Sequence, residues 1–377
     1  MQPDVKNSRR LFSDRWGLGI VRQTSGRQKS VAETPLRMVA GALSRLASFA
    51  QPARRGLPSP PHLRCVENSH GACAGQSAPR AVQKRVESHV EIAVIISTFE
   101  RPGHLRRCLA SLEAQQGVDG LFEVVVTDDG SRDETLRLLA SAARHAEFPL
   151  TFTTHDHDGF RLSRCRNEGV AASTAPYLLF TDGDCILPPD HLRIHLEVRR
   201  PGRVVAGDCL RLDEFPSNAV DAAGLRAGQF PRRLPPGERV RLGLKGLRAK
   251  LYETCRTPMR PRLTGNNIGV WRSDYEQVNG FDEQYVGWGL EDRDLQVRLE
   301  RLGLRAWSIL LRTAPVHLWH PPAPSFARNN EGTANLAYFV ALPERPTFCS
   351  DGFTKTVDVP TIMPLERPAT EPARWAA

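Results

Sequence analysis

EIAVIISTFERPGHLRRCLASLEAQQGVDGLFEVVVTDDGSRDET, residues 91–135, decides the fold. It opens on a continuous apolar run, EIAVIIS (91–97), passes through a helical pattern from Arg101 to Gln116, and returns to an apolar run in FEVVVTDDGS (122–131). Leu105, Cys108, Leu109 and Leu112 share one face of the helical segment. Runs that are apolar at nearly every position suit strands buried on both faces, and a crossover helix is the usual link between two such parallel strands. Asp-Asp-Gly closes the second strand, and Arg132-Asp133-Glu134 opens the next helix with acidic groups suited to its positive dipole end. Two successive βα units predict an α/β protein with a mostly parallel central sheet flanked by helices.

The same texture continues outward. A weaker strand is expected at 150–154, a helix over 162–173, and a strong strand, YLLFT (177–181), that runs into Asp182-Gly183-Asp184. A further strand is expected near 203–207. Ligands of open parallel sheets lie outside the carboxyl ends of the strands. Thr98-Phe99-Glu100, Asp128-Asp129 and Asp182/Asp184 should therefore converge on one crevice. Residues 213–262 show no regular pattern and carry Arg232, Arg233, Arg239, Arg241, Lys245, Arg248 and Lys250, so an Arg- and Pro-rich insertion or lip is expected there. Order resumes with TGNNIGVWR (264–272), a short helix over SDYEQVNG (273–280), and GWGLEDRDLQVRLERLG (287–303), followed by a strand pattern in AWSILL (306–311).

The chain has 377 residues, 40% of them apolar, which is enough for a large core and excludes wholesale disorder. Its net charge is +9, but residues 1–90 hold 15 basic and 5 acidic side chains, +10, leaving −1 for residues 91–377. The basic balance belongs to a leader rich in Arg, Ser, Gly and Pro, read as disordered, and does not argue for nucleic acid as a partner of the folded part. Within the leader, LRMVAGALSRLASFA (36–50) places Leu36, Val39, Leu43, Leu46 and Ala50 on one stripe beside Arg37 and Arg45, a pattern compatible with an anionic membrane surface or a nascent helix. No run approaches the roughly 18 apolar residues of a membrane span. The eight cysteines form no C-x-x-C pair, and the start lacks the apolar core of a secretory signal, so a cytoplasmic chain with reduced thiols is expected, at most peripheral at the membrane.

Four constellations carry chemistry. Asp182-Gly183-Asp184 sets two like charges side by side at a strand end, an arrangement that a shared hard divalent cation relieves. Turns at strand ends favour Asp and Gly for their own reasons, so the triplet alone is weak. Gly287-Trp288-Gly289-Leu290-Glu291-Asp292 joins a flat aromatic, suited to the apolar face of a sugar, to a carboxylate pair at a helix start, where a general base or merely an N-cap is at home. His317-Leu318-Trp319-His320 offers an imidazole to an otherwise oxygen-ligated Mn²⁺ or Mg²⁺. Arg161, Arg164 and Arg166, beside Asn167, form a basic helix start that suits a pyrophosphate, although at least one of them fits a solvated helix face equally well.

Taken in order, STFERP (97–102), VVTDDGSRDET (125–135), GFRLSRCRNEGVA (159–171) and FTDGDCILPPDHL (180–192) resemble the nucleotide-sugar half of family 2 glycosyltransferases of the GT-A fold. NGFDEQYVGWGLEDRDLQVRLERLG (279–303) is similar to the acceptor half of galactosyltransferases and chondroitin polymerases. The resemblance covers about residues 91–330 and implies three parts: 91–212 for the nucleotide sugar, 213–262 as an insertion, 263–330 for the acceptor, with 331–377 as a C-terminal extension. It implies a hexosyl- or N-acetylhexosaminyltransferase that inverts the anomeric centre, uses a UDP-sugar, and requires Mn²⁺ or Mg²⁺. The acceptor would be a glycan, a lipid-linked molecule or a small molecule. On this resemblance Thr98, Glu100, Arg101, Asp129, Arg166, Asn167, Asp182 and Gly183 bind the nucleotide sugar, and Asp184 with His320, or alternatively His317, binds the metal. Asp292 is the catalytic base with Glu291 beside it, and Trp288, Gly287 and Asn267 meet the acceptor. A nucleotidyltransferase on a similar sheet and a non-catalytic sugar-nucleotide-binding descendant are the alternatives.

Overall fold

The structure is a computed structural model that describes residues 89–231, 234–326, 330–342 and 344–354. The chain divides into residues 1–85 and 86–377, and the described residues all lie in the second unit. The basic leader, its 36–50 stripe, Arg232 and Arg233 fall outside the described residues.

The expected βα units are present. β1 (Ile92–Thr98), α1 (Pro102–Glu113), β2 (Phe122–Asp128), α2 (Thr135–His145), β3 (Leu150–Thr154), α3 (Leu162–Ala171) and β4 (Tyr177–Asp182) follow one another along the chain. Pro102 sits in the first turn of α1, where its fixed φ is pre-set for a helix and its missing N–H costs nothing. β5 (Cys185–Ile186), α4 (His191–Val198), β6 (Arg203–Ala206) and β7 (Leu210–Arg211) come next, then α5 (Glu214–Asn218), α6 (Ala222–Arg226) and α7 (Pro236–Thr254). The chain continues through β8 (Ile268–Trp271), α8 (Arg272–Gln277), α9 (Glu291–Arg301), β9 (Arg305–Ser308), β10 (Val316–His317) and α10 (Ala334–Ala341). No described helix is long and apolar enough to cross a membrane.

Seven strands form one sheet in the order β3-β2-β1-β4-β8-β6-β9, in which only β8 pairs antiparallel to its neighbours. Successive residues of the central strands feed opposite faces, as a period of two requires. Ala93, Ile95, Val125, Leu178 and Phe180 pack with Tyr275, Phe281, Leu295 and Leu299 on one side. Ile92, Val94, Ile96, Val124, Val126 and Leu179 pack with Leu105, Leu109 and Leu139 on the other. The strand order runs outward from β1 in one direction to β3 and in the other to β4, so the crevice of the sheet opens beyond the carboxyl ends of β1 and β4.

A second sheet, β5-β10-β7, starts just after β4 ends. Its register pairs His317 with Cys185, which brings the late histidine segment beside the Asp-Gly-Asp turn. The sequence reading of 213–262 as patternless is corrected: α7 is a nineteen-residue helix that turns Leu242, Gly246 and Ala249 inward. Its cations have work in the fold. Lys245 Nζ lies 2.6 Å and Arg241 Nη1 3.2 Å from the buried Asp208 carboxylate just after β6, and Arg241 also pairs with Glu238. Arg241 is therefore part of an internal ion network and not a free element of a basic lip.

Candidate active site

A group of side chains that could hold a metal ion is built where β4 ends. The N–H of Gly183 donates to the Ser97 carbonyl at 2.9 Å, and a Cβ there would sit 3.2 Å from both Ser97 O and the Thr98 side chain. A side chain there would press on β1 and would need it to give by a few tenths of an ångström, so glycine lets β4 turn close to β1 without strain. The turn aims Asp184 at Arg101 (Nη1 3.2 Å), His320 (Nε2 3.1 Å) and His317 (Nε2 3.4 Å). One ligand atom from each of Asp184, His317 and His320 lies within 4.8 Å of the others. Both histidines of the sequence pattern are thus brought in.

Burial opposes charge on Asp184, but His320, His317 and Arg101 outweigh it and hold the carboxyl well below its usual range. Burial likewise works against a charged His320, and the carboxylate of Asp184 wins, raising its affinity for a proton. His320 Nδ1 lies 2.6 Å from the Pro321 carbonyl, to which it donates. In a neutral ring that leaves Nε2 with a lone pair facing the carboxylate, a repulsive arrangement that either a proton or a cation between them relieves. An orienting carbonyl on the far nitrogen is the usual support of a metal-bound histidine. One carboxylate oxygen and two imidazole nitrogens can hold a first-row divalent ion, Mn²⁺ among them, without selecting one.

Behind this group, Arg166 joins the two halves of the crevice. Its guanidinium lies 3.6 Å from Asp182 Oδ1 and 3.2 Å from Glu291 Oε1, stands over the Phe281 ring, and is almost fully buried. It passes so close to Gly265 that a Cβ there would fall 2.0 Å from Nη2. Glu291 and Asp292 begin α9, with Asp294 also in the first turn, where the helix dipole favours all three. Leu290, just before them, adopts a left-handed backbone (φ 78), as does Glu100 (φ 45) at the opposite wall. Such conformations cost a non-glycine residue free energy and cluster at functional sites. Burial and the neighbouring Asp292 push Glu291 up to about 7 against the pull of Arg166. Burial also raises Asp292, opposed by Arg166 and by N–H groups of Arg293 and Gly265.

The wall formed by the ends of β1 and β2 is preset by a carboxylate–histidine chain. Asp128 is buried and accepts from Ser131 and Thr154, and Ser131 Oγ in turn accepts the Glu100 N–H at 2.7 Å. Asp129 accepts from His155 Nε2 at 3.0 Å and from the Arg161 N–H at 3.2 Å, while His155 Nδ1 reaches Glu168 at 2.8 Å. Burial disfavours charge on His155, yet its bonds to Asp129 and Glu168 raise it to about 9, so both ring nitrogens donate. Phe99 stacks on His157 with centroids 4.3 Å apart.

In the loop before α9, the Gly287 N–H donates to the Phe160 carbonyl at 2.8 Å and the Trp288 N–H to Ser325 Oγ at 3.1 Å. Trp288 is 37% exposed and meets Phe326 edge-on. Asn335 of α10 donates to the Gly289 carbonyl at 2.9 Å, so the C-terminal extension braces this loop.

Thr98, Glu100, Arg101, Asp129, Arg166, Asp182, Gly183, Asp184, Gly287, Trp288, Glu291, Asp292, His317 and His320 all lie around the crevice, but two expected residues do not serve it. Asn267 is fully buried and accepts from His195 Nε2 at 3.0 Å; it sits against Gly207 inside the sheet. Asn167 is buried too, bonding Phe281, Glu283 and the Tyr275 hydroxyl, so it ties α3 to the 279–285 segment. Of the basic helix start, Arg161 pairs with Asp158 and Arg164 with Glu168. Arg101, expected at the nucleotide, is the cation that reaches Asp184. Gly265, His155 and Glu168 were missed; the T-G-N-N and H-D-H-D strings that contain the first two were their only signal.

Similarity to known proteins gives this α/β sheet and the segment that follows it two family matches. Residues 93–214 match the glycosyl transferase family 2 model, and residues 251–318 match the N-terminal domain of galactosyltransferase. The family resemblance read from the sequence is thereby borne out for both halves. The validoxylamine A glucosyltransferase of Streptomyces hygroscopicus subsp. limoneus is 31% identical over 233 residues, covering 58% of this chain and 49% of that protein. The hyaluronan synthase of Pasteurella multocida is 25% identical over 236 residues, 58% of this chain and 24% of the synthase. Among solved structures, S. aureus TarS 1–349 in complex with UDP-GlcNAc aligns with a TM-score of 0.46 and 16% identity over 63% of this chain and 62% of that one. The chain spans about half the length of the validoxylamine A glucosyltransferases it matches.

Proposed function

We propose that this chain is an inverting, metal-dependent hexosyl- or N-acetylhexosaminyltransferase that moves a sugar from a UDP-sugar to a hydroxyl of a glycan, lipid-linked or small-molecule acceptor. The observation that carries the reading is the convergence of Asp184, His317 and His320 at the mouth of the crevice, beside the Asp182–Arg166–Glu291 bridge. A divalent ion held by those three side chains would supply neutralisation of the negative charge on a departing diphosphate.

The chain's own groups do the rest. Arg101 adds a fixed cation at the same carboxylate. Asp129, pinned by His155 and Arg161, presents its carboxylate to the base; Thr98 and Glu100 line the same wall. Asp292 takes the proton of the acceptor hydroxyl as its oxygen bonds to the anomeric carbon from the face opposite the UDP oxygen, whose bond to that carbon breaks. Burial raises its basicity, which suits a proton acceptor working near neutral pH. One attack from the opposite face inverts the centre, and a single base at the acceptor leaves no role for a covalent glycosyl-enzyme. Trp288 offers its exposed face to the acceptor sugar, and Glu291 stands ready to hydrogen-bond it. The protein is read as cytoplasmic, peripheral at most.

Calorimetric titration with UDP tests the donor half of this reading. Wild type is expected to bind UDP at least about tenfold more tightly with Mn²⁺ than with EDTA, and Asp184→Ala to lose that difference. Equal binding with and without metal would instead mark a binding-only descendant.

A further inference from the structure

A cavity of about 450 Å³ lies between α7, the end of β6 and residues 260–262. Arg241, Lys245, Arg248, Arg260 and Arg262 line it and no acidic residue does. Asp208 pairs with Arg241 and Lys245, and Glu238 with Arg241 again, so the positive charge that the wall offers beyond these pairs comes from Arg248, Arg260 and Arg262. Burial first, and neighbouring like charge second, act on two arginines there. Burial and then Arg260 lower the proton affinity of Arg262; burial, Arg262 and Arg260 bring Arg293 down to about 10. Asp292, the carboxylate that takes the acceptor proton in the reading above, does not line the cavity, but it acts electrostatically on Arg262, which does. None of its lining residues belongs to the Asp184–His317–His320 group or to the Asp182–Arg166–Glu291 bridge, which sets it apart from a donor diphosphate.

We propose that this cavity binds a phosphate group carried by the acceptor. The inference rests on the transferase reading and names its acceptor class. Several guanidinium groups facing one space suit an anion with multiple acceptor oxygens and more than one charge, because each fork makes paired charge-assisted hydrogen bonds. The phosphate has two sources, a lipid headgroup or a soluble phosphorylated glycan. α7 offers a surface for the first: Val240, Leu244, Leu247 and Leu251 lie on one helical face and are each 58 to 61% exposed, and Leu244 is also in the cavity wall. Arg248 flanks that face on one side, as a cation does on a helix that rests on an anionic bilayer, while Lys250 on the other side is taken up by Glu253 and the Trp307 ring.

The test titrates inorganic pyrophosphate, without divalent metal, into the full chain and into Arg248→Ser/Arg260→Ser. Wild type is expected to bind at least about tenfold more tightly than the double variant, and Arg248→Lys/Arg260→Lys to fall between them. Circular dichroism checks that each variant is folded. Equal affinity in wild type and the Ser variant, or no binding to wild type, overturns the proposal. Co-sedimentation with phosphatidylcholine vesicles, with and without phosphatidic acid, then assigns the source. A lipid phosphate predicts pelleting that needs phosphatidic acid and falls in both the Ser variant and Leu244→Ser/Leu247→Ser; a soluble one predicts pyrophosphate binding without it. UDP titration of the same samples separates the two claims: loss of UDP binding in wild type strikes the transferase reading, while the pyrophosphate difference reports on the cavity alone.

Discussion

Glu291 shows how far the fold moves a single group. Its carboxyl goes from an ordinary 4.5 to about 7 through burial and the charge of Asp292, despite Arg166 at 3.2 Å. Below pH 4.5 the group is protonated in both folded and unfolded chains and contributes nothing to the pH dependence. Between 4.5 and about 7 the unfolded chain gives up this proton first, so rising pH works against folding, and the effect levels off above 7. Glu291→Gln removes it. Urea unfolding should therefore show the variant gaining stability relative to wild type as pH rises through that window; parallel pH profiles would contradict this. The acidic and histidine residues of the crevice were legible because strand ends announce them: Asp182 and Asp184 follow an apolar run, and His317 follows a strand pattern. Gly265 was not, because its contribution is the space it leaves for Arg166, and an absent side chain has no chemical signature. Asn167 and Asn267 misled because an amide beside a motif bonds a backbone carbonyl or a histidine as readily as a sugar.

At the scale of elements, α9 must be held still for its first turn to act. Asp294, one turn into the helix, is buried between Arg298 (2.7 Å) and Arg345 (2.5 Å), and Arg345 also donates to the Tyr338 and Phe339 carbonyls of α10. The C-terminal segment thus clamps the helix that presents Glu291 and Asp292. Arg345→Met leaves Asp294 with Arg298 and Tyr285, so we expect a loss of about 2 kcal/mol, below the 3 to 5 typical of a buried charge left with no partner. Chemical denaturation measures it, and a change under about 0.5 kcal/mol would mean that Arg345 does not secure the helix. The first four strands and their helices were legible from periodicity because each buries a continuous apolar face. α7 was hidden for the opposite reason: its inward face is sparse, with Leu242 the one large side chain beside Gly246 and Ala249, while Val240, Leu244, Leu247 and Leu251 face outward among cations. A pattern read as core-facing stripes has no place for such a helix.

For the molecule as a whole, the decisive event is a return of the chain. β10 pairs with β5 and β7, and that small sheet carries His317 and His320 back to a turn laid down far earlier in the sequence. Periodicity predicted the main sheet, but a two-residue strand leaves no periodic trace, so the proximity of the histidines to Asp184 came from the family resemblance alone. The antiparallel insertion of β8 between β4 and β6 was equally silent, since its four residues are apolar whichever way they run. The account joins these parts into one claim, that Asp184 with its histidines serves a departing UDP while Asp292 serves the incoming hydroxyl. UDP release tests it most directly, measured over a panel of UDP-sugars with the purified full chain, in Mn²⁺ or EDTA, for wild type, Asp184→Ala and Asp292→Asn. The account predicts slow hydrolysis of one donor, water taking the acceptor's place, that EDTA and Asp184→Ala abolish and Asp292→Asn slows at least about a hundredfold. Release that persists in EDTA and in both variants would contradict it.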